Sequence, residues 1–349
     1  MTRVPLSVLD LSPVGSGQTS AEALAASTRL AQEAERLGYA RFWVAEHHAM
    51  PSVASTSPAV LLAHLGASTS SIRIGSGGVM LPNHAPLVVA EQFAMLEALH
   101  PGRVDLGIGR APGTDPYTAA ALRRTPEGLD AEEFPAELDI MLALLGDPTR
   151  EEPRRTRLLA TPAATGSPEV WLLGSSDYSA QLAGLLGLPF AFAHHFSAAM
   201  TDRAMAAYRA RFTPSKAVAA PRVMVVQSVL IAPTREEADY LAQPFRLSMA
   251  SLRTGQPIPL PTPEEAARHE WTPMERAAVE RSPGRPTVGT VAGTLAELEE
   301  LVDRTGADEL MVTTSAHDPE HRVRTLTLLA EAWDAAPLRA EGAVAAAQG

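Results

Sequence analysis

Eight short apolar runs, each followed by a helical pattern, restrict what this 349-residue chain can fold into more than any other feature. They lie at 5–9, 41–45, 72–78, 103–109, 170–173, 190–193, 222–231 and 309–313. Parallel strands need crossovers long enough to hold a helix, so this alternation predicts a parallel sheet. The intervening stretches carry helix punctuation. Leu24, Leu30, Ala31, Ala34 and Leu37 share one face, with a Thr19/Glu22 capping-box pattern before them and Gly38 after. Pro86 suits the first turn of a helix whose buried side is Val89, Phe93, Leu96 and Leu99. Further helices are predicted at 59–68, 138–145, 179–186, 198–212, 235–252, 294–304 and 322–333, the sixth of these with a Thr294/Glu297 capping box.

Eight strands alternating with helices fit a TIM (β/α)8 barrel better than an open doubly wound sheet, as one domain over 1–349. Two insertions interrupt the repeat. After strand four, 113–133 reads as a loop and 147–167 as a Pro/Arg/Thr-rich surface excursion; after strand seven, 254–286 carries seven prolines. Long irregular segments inside compact domains tend to be functional or mobile. The tail at 340–349 reads as loose. A 46% hydrophobic content supplies a core, and the formal net charge of −11 argues against nucleic acid or an anionic membrane as partner. Cysteine is absent, which excludes disulfides, thiolate catalysis and cysteine-ligated metals. With neither a signal-peptide pattern nor an apolar run of about 18 residues, the expected location is cytoplasmic.

Ligands of parallel α/β proteins sit at the C-terminal ends of the strands. Strand two ends in Ala45-Glu46-His47-His48, where neighbouring side chains point to opposite sides, so at most one histidine easily faces the axis. Acid/base chemistry and simple hydrogen bonding to loop backbone both account for the pair. No further histidine or carboxylate stands at diagnostic metal-ligand spacing. Strand three ends in Ile74-Gly75-Ser76-Gly77-Gly78-Val79. Three glycines there fit close approach of a flat ring, a bulge or strained peptide, or a barrel corner. Gly107-Ile108-Gly109-Arg110 places a fork-shaped cation at the end of strand four, suited to phosphate or to a loop carboxylate such as Asp115. Leu173-Gly174-Ser175-Ser176-Asp177-Tyr178 leads strand five into a helix, either an anion site or plain capping.

Together these stretches resemble the bacterial luciferase-like flavin-dependent monooxygenases. The resemblance rests on Glu46-His47-His48, Ile74–Pro82, His84-Ala85-Pro86, Ala90-Glu91-Gln92, Pro101–Arg110 and Leu173-Gly174-Ser175-Ser176. It runs along nearly the whole barrel, sharpest over 41–113 and weakest in 147–167 and 254–286. It implies a flavin ring over Gly77-Gly78, often with a non-proline cis peptide there. It further implies phosphate held by Arg110, Gly174 and Ser175 with Ser176 and Tyr178, a catalytic His47 near the reactive edge, and 254–286 as a mobile lid. Light-emitting members carry a cysteine just before the arginine, where this chain has Gly109.

The activity so implied is oxygenation of a small organic substrate by reduced FMN and O2 through a C4a-peroxyflavin. No Gly-x-Gly-x-x-Gly fingerprint for a nicotinamide cofactor is evident, so a separate flavin reductase is expected to supply reduced FMN. Homodimerisation through helices two and three is the family habit. Three alternatives stand beside this reading: F420-dependent hydride transfer on the same fold, a flavin-binding protein without turnover, and a metal-dependent hydrolase using Glu46, His47 and His48.

Overall fold

A computed structural model describes residues 3–123, 133–147, 149–150, 157–163, 166–281 and 284–334. Its first half alternates as β1 (Leu6–Asp10), α1 (Ser20–Arg36), β2 (Arg41–Val44), α2 (Pro58–Ser68), β3 (Arg73–Met80), α3 (Pro86–Leu99) and β4 (Val104–Gly109). Two helices, α4 (Pro116–Arg123) and α5 (Phe134–Leu144), precede β5 (Glu169–Gly174), α6 (Asp177–Leu186), β6 (Phe190–Phe192), α7 (Thr201–Arg211) and β7 (Val223–Ile231). The remainder is α8 (Arg235–Arg253), α9 (Pro263–Arg268), α10 (Pro273–Glu280), β8 (Thr287–Gly289), α11 (Val291–Thr305), β9 (Glu309–Thr313) and α12 (Pro319–Asp334).

Strands β1 to β7 pair in sequence order, and β9 pairs with both β7 and β1, which closes eight parallel strands into a TIM barrel. The ninth, β8, pairs with Val229–Ile231 at the far end of β7, outside that ring. Alternate residues on each strand feed two packed regions. Phe42, Val44, Ile74, Leu106 and Leu310 face outward into the layer shared with the helices. The inward positions fill the barrel in tiers. At its N-terminal end, Arg41 bridges Asp105 and Glu309 at 2.9 Å each and Glu169 at 3.2 Å, and Arg73 and Arg222 complete a cluster of alternating charge. Above it Trp43 meets Trp171 edge-on with ring centroids 5.7 Å apart, among Leu9, Met224 and Met311. The Trp43 indole donates to Asp105 at 2.9 Å, tying the apolar tier to the ionic one.

Several expectations are corrected. Residues 113–133 are not a plain loop: Asp115 accepts from the Tyr117 and Thr118 amides at 2.9 and 3.0 Å and starts α4 with Pro116 behind it. The 254–286 segment contains α9 and α10, each opened by a capping box, Thr262 with Glu265 and Thr272 with Glu275. Backbone bonds pin its start to the loop after β1, from Ser16 to Leu260 at 2.7 Å and from Leu260 to Val14 at 2.9 Å. The Thr19/Glu22 box is present, but Thr294 is not a cap. That helix begins a turn earlier at Val291, and the buried Thr294 hydroxyl has no hydrogen-bond partner among the described residues. The tail at 340–349 and parts of 113–133 and 147–167 lie outside the described residues.

Removing one partner from a buried ion cluster leaves charge that nothing neutralises, at a cost of about 3–5 kcal/mol. Arg41→Met should therefore lower stability by about that much in urea unfolding. Arg29→Met, which breaks the exposed pair with Glu320, should leave the unfolding midpoint close to wild type.

Candidate active site

The alternation that sends Arg41 to the barrel floor and Trp43 to its middle continues past the end of β2. Ala45 and His47 both line a cavity of about 260 Å³ at the C-terminal mouth. Glu46, in the opposite phase, is fully buried outside it. Glu46 Oε1 accepts from His48 Nε2 and His84 Nε2 at 2.9 Å each and from Asn83 Nδ2 at 3.2 Å, while Oε2 accepts from the Met80 amide at 3.0 Å. Burial alone would push this carboxyl up, but the bonds from His84, His48 and Met80 outweigh it and hold it below the usual range. Glu46 thus clamps the end of β3 and the following turn against β2. His48 belongs to this clamp, and His47 alone faces the cavity. Glu46, His47 and His48 therefore do not converge, and among the described residues no three such groups gather as a metal site.

His47 Nδ1 lies 3.0 Å from the Gly113 carbonyl. Burial lowers its pKa below the ordinary imidazole value, against the opposing pull of that carbonyl. Across the cavity stands His195, just beyond β6, a residue that sequence reasoning did not single out. Its Nδ1 lies 3.1 Å from the Val226 carbonyl, and burial pushes its pKa down to about 4. The signal was the second adjacent pair, His194-His195, at another strand end. His194 turns away and bonds Thr201 Oγ1 at 2.6 Å.

Gly77 reaches the cavity, and its peptide bond to Gly78 is cis. The register between β3 and β4 shifts at the same place, so the strand bulges there. Protein neighbours account for the small residues. A Cβ on Gly75 would come within 2.5 Å of the Trp43 indole, and one on Gly77 within 2.7 Å of Leu9. Gly78 does not line the cavity; its missing Cβ would strike the Gly107 carbonyl at 2.8 Å. Gly174 does line it, and there Ser179 leaves no room for a side chain.

Arg110 also lines the cavity, and its guanidinium lies 4.1 Å from the centre of the Tyr178 ring. Among the described residues it has no hydrogen-bonding or ionic partner, because Asp115 is spent capping α4. Tyr178 is a partly exposed support for Arg110 rather than part of the lining. Ser175 and Ser176 border the cavity at the start of α6, and Ser176 caps the helix without using its hydroxyl. A guanidinium with no ionic partner among the described residues, two hydroxyls and a helix N-terminus meet at one corner, where their donors could hold an anion.

The profile of the luciferase-like monooxygenase family matches residues 4–309 of this chain. YvbT of Bacillus subtilis strain 168 is 45% identical over 94% of this chain and 96% of its own. A luciferase-like monooxygenase of Escherichia coli K12 is 41% identical over 93% of this chain and 96% of its own. The crystal structure of apo-MsnO8 superposes with a TM-score of 0.86 at 39% identity, covering 96% of this chain and all of that one. More distant solved structures share the fold with different cofactors. The oxygenating constituent of 3,6-diketocamphane monooxygenase was solved with FMN (TM-score 0.72, 17% identity, 96% and 99% coverage). An F420-dependent secondary alcohol dehydrogenase was solved with an F420–acetone adduct (0.65, 15%, 95% and 99%).

The two cavity histidines give stability a defined pH dependence. An unfolded histidine binds a proton near pH 6.5, whereas folded His195 resists until about 4. Between those values only the unfolded state takes up the proton, so stability falls as pH falls. Urea unfolding from pH 7 to pH 4.5 should show wild type losing about 2–3 kcal/mol more than His195→Gln.

Proposed function

The chain belongs to the luciferase-like monooxygenase family, and on that premise we propose that it uses reduced FMN and O2 to oxygenate a small organic substrate. The observation that carries this reading is the pairing of an anion corner with a neutral histidine on one mostly apolar cavity. Arg110, Ser175 and Ser176 are fitted to the flavin phosphate by chemistry, since each presents an uncommitted donor. Gly77 leaves the cavity wall flat where a ring would lie. The bound reduced flavin supplies the oxygen-activating chemistry; the protein supplies position, dryness and proton handling. His47 is the catalytic group, held by Gly113 with Nε2 available to the cavity. Leu9, Leu11, Leu173, Val226 and Met311 keep the site apolar, which protects a water-sensitive oxidant. The 254–286 segment, tied at Leu260 to the loop after β1, serves as the lid.

Reduced flavin comes from a separate reductase. The dimer forms through α2 and α3, whose Val60, Val88, Met95 and Leu99 are exposed, Leu99 contrary to its expected place on the buried side of α3. The double change Met95→Glu, Leu99→Glu should then halve the mass measured by light scattering.

Titration with FMN, oxidised and photoreduced, tests the cofactor assignment. Saturable binding is expected, weakened about 10–100-fold by Arg110→Ala, the loss of charge-assisted hydrogen bonds. His47→Ala should keep flavin binding and lose oxygenation. Binding of F420 in place of FMN would assign hydride transfer instead, and binding of neither would sink both assignments.

A further inference from the structure

His195 does not belong to the anion corner. The corner stands on the ends of β4 and β5, with Arg110, Ser175 and Ser176. His195 stands on the β6–β7 side, between Ala193, Phe196 and Val226, where the lining offers no anion-binding donors. A phosphate-bearing cofactor anchored at the corner leaves this second side for the substrate.

The tautomer of His195 follows from its partner. A carbonyl oxygen only accepts, so the Nδ1 that lies 3.1 Å from Val226 O must carry the proton. In a neutral ring Nε2 is then a bare lone pair. No hydrogen-bond partner is found for it among the described residues. The backbone is fixed as firmly as the ring. The His195 amide donates to the same Val226 carbonyl at 3.1 Å, and Gly284 packs so tightly on the His195 carbonyl that a Cβ there would lie 1.8 Å from its oxygen. Phe196 lies against the imidazole with ring centroids 4.2 Å apart. An acceptor held this rigidly on an apolar wall selects for a donor.

The rest of the lining narrows the ligand. Arg110 is its one permanently charged side chain, and neither a carboxylate nor a lysine lines the cavity among the described residues. A cationic substrate would find no counter-ion, and an anionic one would compete at Arg110 with the cofactor phosphate. We propose that His195 Nε2 is the hydrogen-bond acceptor for the substrate, and that the site selects small, uncharged, largely apolar molecules bearing a phenol- or enol-type hydroxyl.

This rests on reading the cavity as the substrate site of the proposed oxygenation. In the complex the substrate O–H donates to Nε2 and stays intact, and the hydrogen bond draws electron density toward the oxygen. In a phenol or enol part of that density delocalises onto the neighbouring carbon, which becomes more electron-rich and open to oxygenation. The Nδ1–H held on Val226 O keeps Nε2 the accepting nitrogen throughout.

Phenol and anisole, which share a ring and differ in the hydroxyl proton, are the probes. Wild-type protein should bind phenol about tenfold more tightly than anisole, and His195→Phe should erase that preference. FMN binding to His195→Phe should match wild type. Imidazole ¹⁵N spectra of the full-length protein at pH 7 should show His195 protonated at Nδ1 and bare at Nε2, a readout independent of turnover and of the variant's folding. Equal binding of the two probes by wild type, failure to bind phenol, a preference that survives His195→Phe, or a protonated Nε2 would each overturn the proposal. If FMN failed to bind while the phenol preference held, the flavin assignment would fall and the role of His195 would stand.

Discussion

One guanidinium decides where the barrel interior begins. Arg41 is buried against Asp105, Glu169 and Glu309, so a single residue of β2 ties together β4, β5 and β9. Burial works against its charge, and the three carboxylates more than restore it, leaving its pKa raised. Glu309 feels burial most strongly and is pushed up, although Arg41 and Ser7 oppose this. Such a cluster gives modest net stability but strong specificity, because a register slip would leave a charge unpaired in the interior. Registers along β2, β4, β5 and β9 are thereby set from the N-terminal end of the barrel upward.

From that floor the two-residue period does the rest. With Arg41 inward, Trp43, Ala45 and His47 must also face inward, and Glu46 must face out. Trp43 then fills the middle of the barrel and forbids a side chain at Gly75, while Leu9 crowds Gly77 and the Gly107 carbonyl crowds Gly78. The glycines of β3 are therefore first a packing consequence of their neighbours in the barrel. The flat wall they leave is what a ring-shaped cofactor would use. Glu46 faces away from the cavity yet shapes it, since its bonds to Met80 and Asn83 hold the rim.

The cavity that results divides its labour by strand. Donors for an anion lie at the β4 and β5 ends, and neutral histidines lie at β2 and beyond β6, each ring oriented by a backbone carbonyl. Desolvation keeps both imidazoles uncharged, so this side of the site presents hydrogen-bond acceptors while Arg110 supplies the fixed positive charge. Fixed positive charge and neutral acceptors thus face each other across one apolar space.

Fold class, the eight barrel strands and the inward phase available to only one of His47 and His48 were legible in the sequence, because periodicity and turn residues act locally. The helices α4, α9 and α10 were missed, their stretches being read as a loop and an irregular insertion; Asp115-Pro116 and the Thr-Pro-x-Glu starts carried the signal, which the surrounding prolines masked. The strand β8 was not, since three residues beside a proline-rich segment acquire strand geometry only by pairing with β7. Nor did local pattern separate Arg110 from a carboxylate partner, or His195 from His194. By itself the sequence determined the barrel, its interior phase and the strand ends that carry chemistry, all properties of short-range spacing. Tertiary structure alone decided which polar groups stay uncommitted at the mouth, because that depends on partners brought from other strands and turns: Met80 and His84 to Glu46, and Val226 to His195.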